Sequence, residues 1–448
     1  MIAIFDIGKT NKKLSVLNNS YEFIFENAVR IPDIKDEDGD DCDDLASLTT
    51  WIKQSFQELV QNKKFNITAL NFSGFGASIV FIDEKNNPAA PLYSYLKPLP
   101  KSLHKKFYSD YGGEEHIARV TASPVLGSLN SGLQVYRMKH LHPEKFDSFT
   151  YTLHFPQYLS LLFTNQPCSE KTSIGCHTHL WDFTTNSYHQ WVSDENILKK
   201  LAPIVPCDST FEINTGRSVI STGIGLHDSS SALIPYLTCC TEPFVLISTG
   251  TWCITLNPFN QSPLTLDELK QDCLCYLSHE GKAVKSARLF AGHWHEVETQ
   301  RMAAHYNVSA SYYKTVAFDN TLLTDFKGER SANNSIPVNQ AGLDFARSEL
   351  SQFSSYEAAY HALMCEIIYR QVQSSNLVLK NSSVKNIYVD GGFSNNPIYM
   401  KLLASNYQHY NVYSASVPQA STIGAAMIIH SKWNPTEIPK DFIRLTSH

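Results

Sequence analysis

The 448-residue chain is too long for one compact core and suits two domains of roughly 200 residues each. Its 43% hydrophobic and 18% charged content, with 20 Gly and 20 Pro, describe an ordinary globular chain and exclude a disordered or fibrous one. A formal net charge of -6 offers no long-range attraction to phosphate backbones or anionic lipid, so neither nucleic acid nor a membrane is an expected partner, and an anionic ligand must be held locally.

The chain enters an apolar run, Ile2 to Phe5, that meets Asp6 at once, without a basic leader or a cleavage site, so the expected location is the cytoplasm. No window approaches the roughly 18 apolar residues of a membrane span. The ten cysteines, Cys239-Cys240 and Cys273-x-Cys275 among them, lack paired CxxC spacing and are expected to be reduced, mostly buried thiols.

In chain order, Ile2–Ile7, Leu14–Leu17 and Glu22–Phe25 read as a strand meander. Leu45, Leu48, Trp51, Ile52, Phe56 and Leu59 recur at helical spacing and predict a helix from about Asp44 to Asn62. Ile67–Phe72 is a buried strand ending in Ser73-Gly74-Phe75-Gly76, and Ile79–Asp83 is another. Helices are expected near Ser131–His142 and Pro156–Phe163. The pattern then restarts: Phe244–Ser248 is an apolar strand, Ser248-Thr249-Gly250-Thr251 a tight turn, and Cys253–Leu256 a second strand. A long helix over Tyr356–Leu379 leads to the strand Ile387–Val389, then Asp390-Gly391-Gly392, then helices at Pro397–Asn406 and Ser421–Ile429. A strand, a polar Gly/Thr turn and a second strand thus head both halves, which places a domain boundary near residues 235–243.

A turn of small residues between antiparallel strands exposes backbone N–H groups, and neighbouring hydroxyls add donors, so it can hold phosphate without a formal positive charge. Asp6-Ile7-Gly8-Lys9-Thr10-Asn11 and Ser248-Thr249-Gly250-Thr251 have this make-up, and two such turns would clamp a triphosphate. The Asp6 carboxylate can carry magnesium through water. A P-loop reading of Gly8-Lys9-Thr10 fails, because the glycine it needs five residues earlier is Ala3 and residues 4–7 spell strand. Either turn alone would also suit an ordinary hairpin.

Gly223-Ile224-Gly225-Leu226-His227-Asp228-Ser229-Ser230-Ser231 places a lone carboxylate among small residues ahead of the apolar segment Ala232–Leu237. Asp228 there suits a helix N-cap and also a base that accepts a hydroxyl proton during phosphoryl transfer; the two readings are compatible.

Taken together, these segments resemble the FGGY carbohydrate kinases of the actin-like ATPase superfamily, the rhamnulokinase, fuculokinase and xylulokinase group in particular. Asp6-Ile7-Gly8-Lys9-Thr10 is similar to the first phosphate motif, Gly225-x-His227-Asp228 to the catalytic segment, and Ser248-Thr249-Gly250-Thr251-Trp252 to the second phosphate motif. Asp390-Gly391-Gly392-Phe393-Ser394-Asn395-Asn396 is similar to the adenosine motif, and Ala420-Ser421-Thr422-Ile423-Gly424-Ala425-Ala426 to the closing one.

The resemblance implies an α/β fold of two actin-like (ribonuclease H-like) ATPase domains, each a mixed sheet flanked by helices, with a cleft between them. Residues 1–240 would carry the sugar site, the first phosphate turn and the catalytic aspartate, and residues 241–448 the second phosphate turn and the adenosine site. It implies ATP-dependent phosphorylation of a small sugar, a ketose or deoxyketose in kind, with Asp228 as general base. ATP contacts would come from Asp6, Gly8, Lys9, Thr10, Asn11, Lys13, Thr249, Gly250, Thr251, Gly391, Gly392 and Asn395, with Asp6 anchoring Mg²⁺. Gly76, Ala77, Ser78, His227 and Asp228 would contact the sugar, and a homodimer is left open.

The sequence departs from the family pattern at several places. Lys9 replaces a small or hydroxyl residue; Gln157 stands where relatives have an aspartate before a Tyr-Leu pair; Tyr93–Lys97 lies near a common Arg-Asp; and Leu289–Glu296 is a weak match to a glycine-rich segment. Two further readings are an actin-like ATPase switch, which would need no base beside a sugar pocket, and a catalytically silent relative acting by binding. On strands, Cys176-His177-Thr178-His179 and His293-Trp294-His295-Glu296 could each aim two imidazoles at one metal, but neither has a third ligand at standard spacing. The acidic run Asp36–Asp44 has Gly39 misplaced for an EF-hand and reads as a solvated loop capping the next helix.

Overall fold

The computed structural model describes residues 1–323, 342–439 and 441–448. The chain forms two compact units: Met1–Cys239 with Cys275–Ala283 and Pro418–Phe442, and Cys240–Leu274 with Val284–Val417 and Ile443–His448.

In the first unit β1 (Ile2–Ile7), β2 (Lys12–Leu17) and β3 (Phe23–Val29) form the antiparallel meander. Helix α1 (Leu45–Gln61) follows; the Asp44 side chain accepts from Ser47 N–H at its start, and Leu45, Leu48, Ile52, Phe56 and Leu59 form its buried face. β4 (Ala69–Gly74) then pairs in parallel with β1. This connection from β3 through a helix sets β1 in mid-sheet, which is why Ile2, Ala3, Ile4, Phe5 and Ile7 are all buried. Phe5, Phe72 and Phe163, the last from α2 (Phe155–Thr164), stack in the core with centroids 5.8–6.5 Å apart.

β5 (Thr210–Asn214) and β6 (Val219–Gly223) continue the sheet. The short β7 (Leu226–His227) takes over the same edge of β4, pairing Leu226 with Ser73 and His227 with Gly74. Helix α3 (Asp228–Cys239) leaves directly from it.

The second unit repeats the opening. β8 (Phe244–Thr249) and β9 (Cys253–Asn257) are antiparallel. With β10 (Cys273–Leu277), β11 (Ala283–Leu289), β12 (Asn386–Gly391), β13 (Asn411–Ser416) and β14 (Arg444–Ser447) they form a sheet of order β10-β11-β9-β8-β12-β13-β14. β8 lies between an antiparallel β9 and a parallel β12, as β1 lies between β2 and β4, and Thr249 opposes Gly391 as Ile7 opposes Gly74. Helices α4 (Ala291–Tyr306), α5 (Tyr356–Leu379) and α6 (Pro397–Asn406) complete this unit. α7 (Ala420–Met427) belongs to the first unit, packed on α3 so closely that a Cβ on Gly424 would lie 1.8 Å from the Ser231 carbonyl oxygen.

Neither histidine pair stands on a strand. His177 and His179 follow a one-turn helix in a segment with positive φ at both, and His293 and His295 lie in α4.

Candidate functional site

The register of three adjacent strands assembles the first cluster. Asp6 on β1 lies beside Ser73 on β4, and Ser73 lies beside Leu226, so His227 and Asp228 emerge next to the end of β1. Asp6 Oδ2 accepts hydrogen bonds from Ser421 Oγ (2.8 Å) and Thr422 Oγ1 (3.1 Å) on α7. Burial raises the pKa of the Asp6 carboxyl; the Ser421 hydroxyl opposes this, and the charge of nearby Asp228 adds to it.

Asp228 opens α3, and its Oδ1 accepts from its neighbour Ser229 N–H (2.6 Å) and lies 3.2 Å from His227 Nε2. Its side chain keeps 34% of its exposure, yet desolvation in its surroundings pushes its pKa up to about 6, against the lowering pull of the Ser229 N–H. Burial drives the His227 imidazole down to about 3, so it is neutral. The backbone of His227 is pinned by the Thr172 hydroxyl (3.0 Å), which in turn donates to buried Glu170 (2.8 Å). Gln157, standing where relatives carry aspartate, donates to the Gly225 carbonyl (3.0 Å) and braces the same turn.

At the first turn Gly8 N–H donates to the Asn11 carbonyl (2.9 Å), while Thr10 and Asn11 are exposed. The Lys9 ammonium lies 2.8 Å from Asp43 and 3.3 Å from Asp33. Buried Lys12 donates to the Lys9 carbonyl (2.6 Å), and Lys13 reaches Gln419 (3.3 Å). The turn is thus held from beneath by Lys12 and from the side by the Lys9–Asp43 pair. Asp36, Asp38 and Asp40 close on the buried Lys97 ammonium, so among the described residues the one cluster of carboxylates close enough for a cation holds a lysine.

Phe75, Gly76, Ser78, His154, Phe155, Pro156, Ser173 and His227, the last preceding Asp228 in the chain, line a pocket. A Cβ on Gly76 would lie 2.5 Å from Cys176 Sγ, so only glycine fits there. That thiol sits 3.1 Å from His227 Nε2 and 3.3 Å from His177 Nε2. The Ala77 carbonyl accepts from Gln134 (2.7 Å). His179 Nδ1 meets the Thr121 hydroxyl (2.7 Å), and His295 Nε2 meets the Tyr360 hydroxyl (2.9 Å), so both are buried histidines held by a neighbouring hydroxyl. His154 and Ser173 were not expected from sequence because nothing local marks them, and Cys176 entered only as part of a candidate metal segment. His154 reaches the pocket only because Ile79 pairs with it across two strands distant in sequence.

In the second unit the Thr249 hydroxyl donates to the Asp390 carbonyl (2.6 Å) and accepts from Phe393 N–H (3.0 Å), tying the second turn to the Gly391–Phe393 segment. Gly391 has φ 89°, and a Cβ there would lie 1.9 Å from the Thr249 carbonyl oxygen. Gly392 faces open space, and Gly250, Thr251, Gly392 and Asn395 are exposed. Asn396 instead caps α6, accepting from Ile398 and Tyr399 N–H groups, which separates the roles of the two adjacent asparagines.

The N-terminal domain of the FGGY family of carbohydrate kinases matches residues 1–206, and the FGGY carbohydrate kinase C-terminal domain matches residues 241–437. The chain belongs to the FGGY family of carbohydrate kinases. A rhamnulokinase of Oceanobacillus iheyensis is 22% identical over 230 residues, 47% of this chain and 47% of that protein, so the match spans about half of the curated relative. This FGGY chain also shares its fold with a carbohydrate kinase from Novosphingobium aromaticivorans (TM-score 0.81, 22% identity, 99% of this chain and 95% of that one). A xylulose kinase from Lactobacillus acidophilus is similar as well (TM-score 0.79, 16% identity, 100% and 93%). The two sheet-bearing units of this FGGY chain therefore have the actin-like ATPase fold. Among the described residues no helix is long and apolar enough to cross a membrane.

Proposed function

We propose that the protein transfers the γ-phosphoryl group of ATP to a hydroxyl of a small sugar, a ketose or deoxyketose in kind, with Asp228 as the base. The observation that carries this reading is Asp228 itself. Its carboxyl lies 3.2 Å from the His227 ring, which lines a pocket, and its pKa is raised to about 6, so it is ionised at neutral pH while basic enough to accept a hydroxyl proton. Neutral His227 lines the pocket beside it, with Gly76 and Ser78 in the same lining and Ala77 between them.

The Gly8–Asn11 turn, with Asp6 and Lys13 flanking it, is the phosphate-holding element of the first unit. Lys9 serves it through its pairing with Asp43. Thr249, Gly250 and Thr251 are the corresponding turn of the second unit, and Gly391, Gly392 and Asn395 would admit the nucleoside, since the first two carry no side chain. Asp6 fits a Mg²⁺ ion: it is a carboxylate already solvated by two hydroxyls and set beside a second carboxylate, where a bound cation would relieve the repulsion. Mg²⁺ there would screen the charge that develops on the transferring phosphoryl group.

The test is ADP release by the purified protein with Mg-ATP against ketoses, aldoses and polyols. Sugar-dependent release is expected, with Asp228→Asn lowering it about 10²- to 10⁴-fold. A protein that binds ATP but responds to no sugar would sink the reading.

A further inference from the structure

The pocket that reaches His227, the neighbour of Asp228, holds three polar atoms without a counterpart among the described residues: Ser173 Oγ and, on one wall, Ser78 Oγ and His154 Nδ1. Ser78 Oγ and His154 Nδ1 are buried, and neither has a hydrogen-bond partner among the described residues. Native interiors leave few such atoms unpaired, so two on one pocket wall indicate a ligand that pairs them. Local structure sets them side by side. Ile79 is paired with His154 across the Ile79–Ile82 and Tyr151–His154 strands, and the next N–H, of Phe155, donates to the Ser78 carbonyl (3.2 Å). The other ring nitrogen of His154 lies 3.5 Å from Ser131 Oγ, which leaves Nδ1 for the pocket.

The lining carries no ammonium or guanidinium group. Burial keeps both imidazoles uncharged, with His154 lowered to about 4 and His227 to about 3. Nothing on this wall would offset a carboxylate, and Asp228 would repel one.

We propose that Ser78 and His154 form the subsite that reads the hydroxyls of an uncharged polyhydroxylated acceptor, a ketose or polyol, and that a sugar acid is rejected there. The proposal rests on the reading of Asp228 as the base facing the acceptor. Ser78 and His154 act as specificity residues, each supplying one hydrogen bond to a hydroxyl remote from the one phosphorylated.

The experiment compares neutral ketoses and polyols with aldonates of five and six carbons, in the wild type and in Ser78→Ala and His154→Leu. Neutral acceptors should be preferred. Each variant should raise the KM for the best acceptor roughly ten-fold, with kcat and the KM for ATP little changed. Ser78→Ala removes no bond made within the protein, so its melting temperature should hold; it stays informative if His154→Leu fails to fold. Preference for an aldonate, or a sugar KM that does not move in Ser78→Ala, overturns the proposal and leaves the kinase reading standing. Absence of turnover with every acceptor in the wild type overturns both.

Discussion

Ser421 donates a 2.8 Å hydrogen bond to Asp6 across 415 residues of chain, and Thr422 adds a second at 3.1 Å. The carboxylate at the end of the first strand is therefore solvated by the helix near the end of the sequence. Replacing both donors, as Ser421→Ala with Thr422→Val, leaves a half-buried carboxylate short of partners. We expect a loss of about 1–3 kcal/mol in urea unfolding. An unchanged midpoint would show that the two hydroxyls do not stabilise the carboxylate.

The raised pKa of Asp228 sets the acid limb of activity. The base works as the carboxylate, so kcat/KM should fall as pH drops through about 6, close to ten-fold per pH unit below it. An ordinary aspartate would carry nearly full activity to about pH 5 and lose half of it only near pH 4. A pH profile flat between 5 and 7 would contradict the role assigned to this carboxyl.

Gly391 and Gly392 make a matched pair. Gly391→Ala forces a Cβ to 1.9 Å from the Thr249 carbonyl oxygen at a φ of 89°, and should cost at least about 2 kcal/mol of stability. Gly392→Ala meets nothing within 4 Å and should leave the melting temperature unchanged while raising the KM for ATP. Equal effects of the two on stability would be inconsistent with this backbone.

Lys9 is held by Asp43 at 2.8 Å and Asp33 at 3.3 Å. Lys9→Ala should therefore alter the KM for ATP by less than about three-fold, because removing an ammonium already neutralised by carboxylates changes little of the field at the phosphates. Asp43→Ala should be the more harmful change, since it strips buried Lys12 and the turn of their nearest negative charge. A ten-fold rise in the KM for ATP in Lys9→Ala alone would instead mean that this side chain turns to the nucleotide.

Much of the architecture is a local property and could be read from residues. The helix Tyr356–Leu379 coincides with its predicted bounds because a run free of Gly and Pro starts after Ser355, whose side chain accepts from Ala358 N–H. The strand-turn-strand unit at Ile2 and again at Phe244 was legible because apolar runs broken by Gly and Thr specify a hairpin over a dozen residues. The position of Asp228 at the head of a helix was legible too, since it stands between a glycine turn and an apolar segment, a setting that suits an N-cap and a base alike.

What tertiary structure alone decided are the partners of those groups. Ser421 and Thr422 reach Asp6, and His154 reaches the pocket of Ser78, through pairings between segments remote in the chain. The return of residues 275–283 and 418–442 to the first unit likewise has no local signal. The pairing of Lys9 with Asp43, and the raised carboxyl of Asp228, depend on which side chains exclude water around them. Propensity and periodicity act over one or two turns of chain, whereas desolvation and hydrogen bonding at a site are summed over whatever the fold brings within a few ångströms.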